Sequence, residues 1–209
     1  SNSSSSLSLY LDFCGSSDSA SKLVNQEIFG NTELFDTPKP LELLNYFINI
    51  TTDENDIILD FFSGSGTTAH AVMDLNAQDN GTRKFICVQW AEKTPEKSEA
   101  KKAGYETIFD ITKARIDKAG EQIAKGDIGF RTFEIVEDQK QKIYQKSLEE
   151  VNQDDLLSLM EKPDISSNEE ILYNLFVAET LPLTTKHIEL IKDKLYLASN
   201  VAFILGDIT

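Results

Sequence analysis

Hydrophobic residues follow two different spacings along the first two thirds of the chain, and the changes between them predict its elements. Short apolar runs bounded by turn residues indicate strands, whereas apolar residues three or four positions apart indicate helices. This pattern predicts a short helix over 18–29 that ends at Gly30, helices starting at Thr37 and spanning 66–78 and 105–125, and strands over 56–62, 83–89 and 129–135. Strands that alternate with helices are typical of an α/β fold with a parallel sheet.

The last third of the chain lacks this alternation. Lys140 to Met160 is charged with sparse apolar positions, which predicts a helix, and a second helix is predicted over 168–180. His187 to Ile204 has the composition of two or three short strands, with turns at Lys192–Asp193 and Ser199–Asn200. We therefore divide the chain into a lead segment (1–34), an α/β part (35–136) and a small α+β extension (137–209).

The turn after the first predicted strand carries the strongest chemical signal. Residues 60–68 read DFFSGSGTT, between an apolar run and a helical pattern. Strand, glycine turn and helix form the arrangement that holds nucleotide-like cofactors, because glycines admit a close ligand and the new helix offers unpaired N–H groups. No lysine occurs between Ile57 and Lys84, so a triphosphate-binding loop is excluded. A turn that only connects a strand to a helix is the other interpretation.

Two further segments flank this turn. Thr37 is a suitable N-cap and Pro38 suits a first helical turn, followed by an apolar stripe of Leu41, Leu44, Phe47 and Ile48. At the end of the second strand, Gln89 stands where such folds place an acid that binds ribose. Its amide is able to hydrogen-bond the same hydroxyls without a charge. Trp90 suits stacking on an adenine face or simple packing.

These segments together resemble a known family. Asp-x-Phe-x-Gly-x-Gly-Thr is similar to motif I of the DNA amino-methyltransferases, and the preceding Pro-Lys-Pro resembles their motif X. Residues 60–72, 83–89 and 129–133 more narrowly resemble the modification (Mod) subunit of type III restriction–modification systems, an adenine-N6 methyltransferase. The resemblance implies a partial Rossmann-like fold that binds S-adenosylmethionine. The residues assigned to this cofactor are Thr37, Pro38, Lys39, Asp60, Phe61, Phe62, Gly64, Ser65, Gly66, Thr67, Gln89 and Trp90.

The base-contacting motif of that family is missing. It contains two adjacent prolines, and no two of the five prolines here are adjacent. In the family's β circular order this motif lies upstream, so we expect a C-terminal, cofactor-binding part of a longer enzyme, or one part of a split protein, without catalytic residues or activity of its own. The alternatives are the cofactor half of another methyltransferase, N6-adenine or N4-cytosine, RNA or small-molecule, and a non-catalytic interaction module.

Composition limits the partners of this chain. A formal net charge of −15 and a pI near 4.5 argue against DNA binding by the chain alone. The resemblance implies DNA, a restriction (Res) subunit and a second Mod copy as partners of the full-length enzyme. Cys14 and Cys87 are too few for a disulfide framework, and His70 and His187 are too isolated for a metal site. No apolar run long enough for a membrane span or signal peptide occurs, so we expect a cytoplasmic protein.

Overall fold

The structure is a computed structural model that describes residues 15–30, 33–135, 150, 152–153, 167–206 and 208. The chain divides into two compact units, Ser1–Thr132 and Phe133–Thr209. No helix among the described residues is both long and apolar enough to cross a bilayer. Cys14 and nearly all of the helix predicted over 140–160 lie outside the described residues.

The first unit opens with a helical segment in two parts. Helix α1, Ser17–Ser21, starts at a capping box formed by Ser16 and Ser19, and it continues as a π-helix, Lys22–Ile28. The buried Asn25 Oδ1 accepts from the N–H groups of Leu34 and Phe35 at 3.0 and 3.2 Å, and this fixes the chain that follows. The helix predicted over 18–29 is confirmed, with Gly30 beyond its end at φ +67°.

A βαβ unit forms the centre of the first unit. Strand β1, Ile57–Asp60, pairs in parallel with β2, Lys84–Cys87, and helix α3, Thr67–Asp79, connects them. The predicted elements 56–62, 66–78 and 83–89 are therefore present, with the strands shorter than expected at both ends. A two-residue turn cannot join parallel strands, so the helical connection follows from the strand direction.

Helix α2, Leu41–Thr51, packs on α3 but begins later than predicted. Its N-cap is Pro40, and no side chain caps it, so the assignment of Thr37 as N-cap was wrong. The reason lies in the proline at position 40, which disfavours helical angles for Lys39 before it. The apolar stripe is confirmed for Leu41, Leu44 and Ile48, whereas Phe47 is exposed.

Two helices follow β2 in the first unit: the short α4, Glu99–Lys102, and the long α5, Ile108–Ile123. A capping box of Thr107 and Asp110 starts α5. The helix ends at Ala124 in the left-handed region (φ 48°), so the helix predicted over 105–125 is present with slightly narrower bounds.

The strand predicted over 129–135 is absent from the described structure. Ile128 and Phe130 still pack on the core between α3 and α5, whereas Phe133 and Ile135 are exposed. No neighbouring strand among the described residues supplies hydrogen bonds to this segment. An alternating pattern alone does not make a strand without such a partner.

Among the described residues, elements pack on only one face of the sheet of the first unit. Ile58, Phe85 and Cys87 face the helices, whereas Ile57, Leu59 and Ile86 on the other face are 48–61% exposed. Within the described residues, β1 and β2 each have a single neighbouring strand. Parallel sheets in proteins normally have both faces buried, so this face is an unusual surface, which we call the open sheet face.

The second unit contains helix α6 and a three-stranded antiparallel sheet. Its elements are α6, Asn168–Ala178, β3, His187–Ile191, β4, Leu195–Ala198, and β5, Val201–Ile204. Its core is formed by Leu172, Phe176, Tyr196 and Phe203 together with their neighbours. The predicted helix over 168–180 and the predicted short strands, with turns at 192–193 and 199–200, are confirmed.

Candidate functional site

The glycine turn lies at the carboxyl ends of both parallel strands. The Gly66 N–H donates to the Ser63 carbonyl at 2.7 Å, and the Ser63 N–H donates to the Val88 carbonyl at 3.2 Å. Gly64 and Gly66 have φ of +53° and +80°, which other residues rarely adopt. The carboxyl ends of parallel strands in open α/β sheets are where ligands bind.

Asp60 holds the two sides of the turn together. Its Oδ1 accepts from the Phe62 N–H at 3.0 Å, and its Oδ2 accepts from the Thr68 hydroxyl at 2.5 Å. The resemblance assigned Asp60 to the cofactor, and in the structure both of its carboxylate oxygens accept hydrogen bonds from the turn and the start of α3.

Gln89 is also bound to the turn. Its Oε1 accepts from the Gly64 N–H at 2.8 Å, and its Nε2 donates to the Trp90 carbonyl at 3.1 Å. The sequence analysis expected Gln89 to hydrogen-bond ribose hydroxyls, and that role stays a prediction. Gln89 therefore links the end of β2 to the glycine turn. The two residues in contact are 25 positions apart in the sequence, so no local pattern predicts the contact.

Packing adds to the positive φ as a reason for glycine at position 66. A Cβ on Gly66 would lie 3.1 Å from Ile116 Cγ1 and 3.3 Å from the Thr112 carbonyl oxygen, both on α5. At Gly64 the nearest atom, Phe35 Cζ, is an ordinary 3.6 Å away. The sequence interpretation gave close ligand approach as the reason for both glycines. At Gly66 the structure gives another reason: an added Cβ would crowd helix α5.

The Thr37–Lys39 segment meets the start of α3. The Thr67 hydroxyl donates to the Lys39 carbonyl at 3.4 Å, Pro38 is buried, and the side chains of Thr37 and Lys39 are exposed. The segment that resembles motif X therefore lies beside the one that resembles motif I.

Three aromatic side chains are exposed around the same end of the sheet. Phe61 and Phe62 follow β1, Trp90 follows β2, and their exposed fractions are 64%, 88% and 83%. Large apolar side chains exposed together mark a binding surface more often than chance exposure does.

Arg115 is the residue of this site that the sequence interpretation missed. Its side chain is completely buried on α5, and its Nη1 donates to Ser65 Oγ and to Thr67 Oγ1, both at 2.6 Å. Nε and Nη2 have no hydrogen-bond partner. Burial lowers the pKa of Arg115 to about 10, so it stays charged at neutral pH. The signal was available, since Arg115 lies on the buried face of α5 between Ile111 and Ala119, each four positions away.

His70 is a buried neutral residue. Burial, helped by the charge of Arg115 and opposed by Asp74, lowers its pKa from 6.5 to about 4. The burial of its side chain indicates a packing role.

Burial raises the pKa of the Cys87 thiol to about 12, so Cys87 is a poor nucleophile. Among the described residues no group of acidic, His or Cys side chains is arranged to hold a metal.

A cavity of about 410 Å³ belongs to the second unit and shares no residue with the glycine turn; it is lined by Glu169, Leu172, His187, Glu189 and Tyr196.

Comparisons with known proteins agree with the motifs. A family of N6/N4 methyltransferases described as DNA methylase matches residues 13–99. The StyLTI Mod subunit of Salmonella typhimurium is 42% identical over an alignment of 113 residues that covers 51% of this chain and 17% of that protein. The EcoP15I Mod subunit of Escherichia coli is 42% identical over 107 residues (51% and 16%), and the EcoPI Mod subunit of Escherichia phage P1 is 40% identical over 118 residues (53% and 18%).

All three relatives are named as type III restriction–modification enzyme subunits. The chain spans less than a fifth of the length of each of them. Residues 13–99 therefore match the model of a DNA methylase family, and the resemblance of about half of this chain to type III Mod subunits is confirmed.

Proposed function

We propose that this chain is the cofactor-binding part of a DNA adenine-N6 methyltransferase of a type III restriction–modification system. The observation that carries the proposal is the glycine turn at the carboxyl ends of two parallel strands, with the Pro-Lys-Pro segment and three exposed aromatic rings beside it. The βαβ unit is compatible with a partial Rossmann-like fold. The cofactor is S-adenosylmethionine, which supplies the methyl group when it is bound.

The residues present suit that cofactor chemically. Rings of Phe61, Phe62 or Trp90 provide faces for the adenine, and the sulfonium is attracted to the same electron-rich faces. Thr37 and Lys39 provide a hydroxyl and an ammonium group for the carboxylate. The remaining assigned residues shape and support the turn: Pro38, Asp60, Gly64, Ser65, Gly66, Thr67 and Gln89.

The buried cation supports the same assignment. Arg115 has no carboxylate partner among the described residues, and the first N–H groups of α3 have no partner within the helix. The positive end of a helix with a cation behind it favours an anionic ligand group.

No adjacent prolines occur in these 209 residues, and we propose that other polypeptide supplies the base-contacting motif. The open sheet face and the single-neighbour strands β1 and β2 provide a surface on which that polypeptide packs. DNA, a Res subunit and a second Mod copy are proposed as partners of the complete cytoplasmic enzyme.

Trp90 permits a direct test, because it is the only tryptophan of the chain and lies at the candidate site. Titration with S-adenosylhomocysteine, the stable product of methyl transfer, is expected to change its fluorescence in a saturable way. Calorimetry is expected to show a threefold to tenfold weaker Kd for Trp90→Ala, which is about the contribution of one aromatic stacking contact.

Phe47→Ala is the matched control for this test, since Phe47 is an exposed aromatic on α2. Its affinity should equal that of the wild type. Absence of saturable binding at millimolar ligand would reject the cofactor assignment and favour a non-catalytic interaction module.

A further inference from the structure

The two buried arginines of the first unit are held in opposite ways. Arg83 Nη1 lies 2.7 Å from Asp79 Oδ2, so its charge is neutralised by a carboxylate. Arg115 is buried more completely, and its described partners are two hydroxyls and the Ser65 carbonyl at 3.4 Å. A buried charge without a counter-charge destabilises a fold, so its presence requires a reason other than stability.

The position of Arg115 indicates that reason. Both hydroxyls that it binds belong to the glycine turn and the first residue of α3, whereas Arg115 itself is fixed in the middle of α5. Thr112, three residues earlier, also donates to the Gly64 carbonyl at 2.5 Å. One face of α5 therefore holds the backbone and the side chains of the turn.

Arg115 uses both hydroxyls as acceptors. A guanidinium can only donate, so Ser65 Oγ and Thr67 Oγ1 must accept from it. The two hydroxyl oxygens also lie 3.3 Å apart, within hydrogen-bonding distance of each other, and Thr67 Oγ1 lies 3.4 Å from the Lys39 carbonyl oxygen. The series of polar contacts from Arg115 through Thr67 to Lys39 links α5 with the turn and with the segment that resembles motif X.

We propose that Arg115 is a positioning residue of the cofactor site, which orders the glycine turn through Ser65 and Thr67 and makes the start of α3 selective for a carboxylate-bearing ligand. The guanidinium acts through these hydroxyls and through its charge, since its other two nitrogens, Nε and Nη2, are buried. The proposal rests on the assignment of this turn to S-adenosylmethionine.

The first test needs no ligand. In Arg115→Met, amide hydrogen exchange at residues 63–68 should accelerate at least tenfold, while the amides in the middle of α3 and α5 keep their wild-type rates. Ser65→Ala removes the hydroxyl that accepts from Arg115 and leaves α5 unchanged. It should accelerate hydrogen exchange at the same amides. Unchanged exchange at the turn in both variants would overturn the positioning role.

The second test compares two ligands that differ in one group: S-adenosylmethionine and decarboxylated S-adenosylmethionine. Arg115→Met should reduce the ratio of their affinities about tenfold, because a fixed charge in a region of low dielectric favours the carboxylate. Arg115→Lys keeps the charge and should retain most of that ratio. Arg83→Met is the control, and it should lower the melting temperature without changing the ratio.

The outcomes separate the two proposals. Equal loss of both ligands in Arg115→Met would make Arg115 a structural residue and overturn the carboxylate preference. If the wild-type chain binds neither ligand, the proposed function fails and the carboxylate preference fails with it. The exchange experiment still decides whether Arg115 orders the turn.

Discussion

His70 illustrates how burial changes the chemistry of a single residue. Its ring lies inside the first unit, where its pKa falls from 6.5 to about 4. In the unfolded chain the same ring takes up a proton near pH 6.5. Between these two values the unfolded state binds more protons than the folded state, so acidification favours unfolding.

We therefore predict that stability falls as the pH drops from 6.5 towards 4. A pKa difference of this size corresponds to about 2 kcal/mol lost at pH 5 relative to pH 7. Urea unfolding of wild type and His70→Gln at both pH values measures it. The variant should lose less stability than the wild type on acidification, and equal losses would contradict the buried neutral state of His70.

Gly66 and Gly104 allow backbone strain to be separated from crowding. Both have positive φ, +80° and +93°, but Gly104 has no atom within 4 Å of an added Cβ, whereas Gly66 faces Ile116 and Thr112. Gly104→Ala should cost about 1 kcal/mol from strain, and Gly66→Ala about 3 kcal/mol because overpacking is added. Equal losses in chemical denaturation would mean that α5 does not crowd the turn.

At the level of helices, side-chain capping distinguishes α5 from α2. The Thr107 hydroxyl accepts from the Asp110 N–H, and the Asp110 carboxylate accepts from the Thr107 N–H in return. Helix α2, in contrast, begins at Pro40 without a side-chain cap. Thr107→Ala should therefore lower the free energy of unfolding by about 1 kcal/mol. Thr37→Ala should change it by less than about 0.5 kcal/mol. A comparable loss in both variants would restore Thr37 as the cap of α2.

Elements with two independent local signals could be predicted from the sequence. Helix α3 has a glycine turn before it and a turn signal after it, and its predicted and observed ranges nearly coincide. The segment 129–135 had only its alternation, and it forms no strand because strand formation depends on a distant partner. The start of α2 was missed because the effect of Pro40 on Lys39 outweighed the capping ability of Thr37.

In the candidate site, too, features with a local signal could be predicted and features that depend on distant contacts could not. Positions on or beside the turn could be found from the motif, since spacing fixes them. The contacts of Gln89 with Gly64, and of Arg115 with Ser65, join residues 25 and 50 positions apart. Such contacts depend on how the elements pack, which a local pattern does not contain.

For the whole chain, its charge gives the simplest prediction. With 35 acidic and 20 basic side chains, the chain should repel the DNA backbone at low salt as well as at physiological salt. We expect no gel shift of duplex DNA and no transfer of labelled methyl groups to adenine-containing DNA. A complete Mod subunit serves as the positive control. Incorporation of label by this chain would mean that an acceptor site exists among residues assigned here to packing.

The open sheet face has a consequence for the heat capacity of the protein. Unfolding raises the heat capacity mainly by hydrating apolar groups, by about 12–15 cal/mol/K per residue in ordinary domains. Ile57, Leu59 and Ile86 are already largely hydrated in the folded chain, so they contribute little to that change. Calorimetry of the chain should give a value per residue below the ordinary range. A polypeptide that covers the face should bind with a negative heat-capacity change and restore the missing part of it.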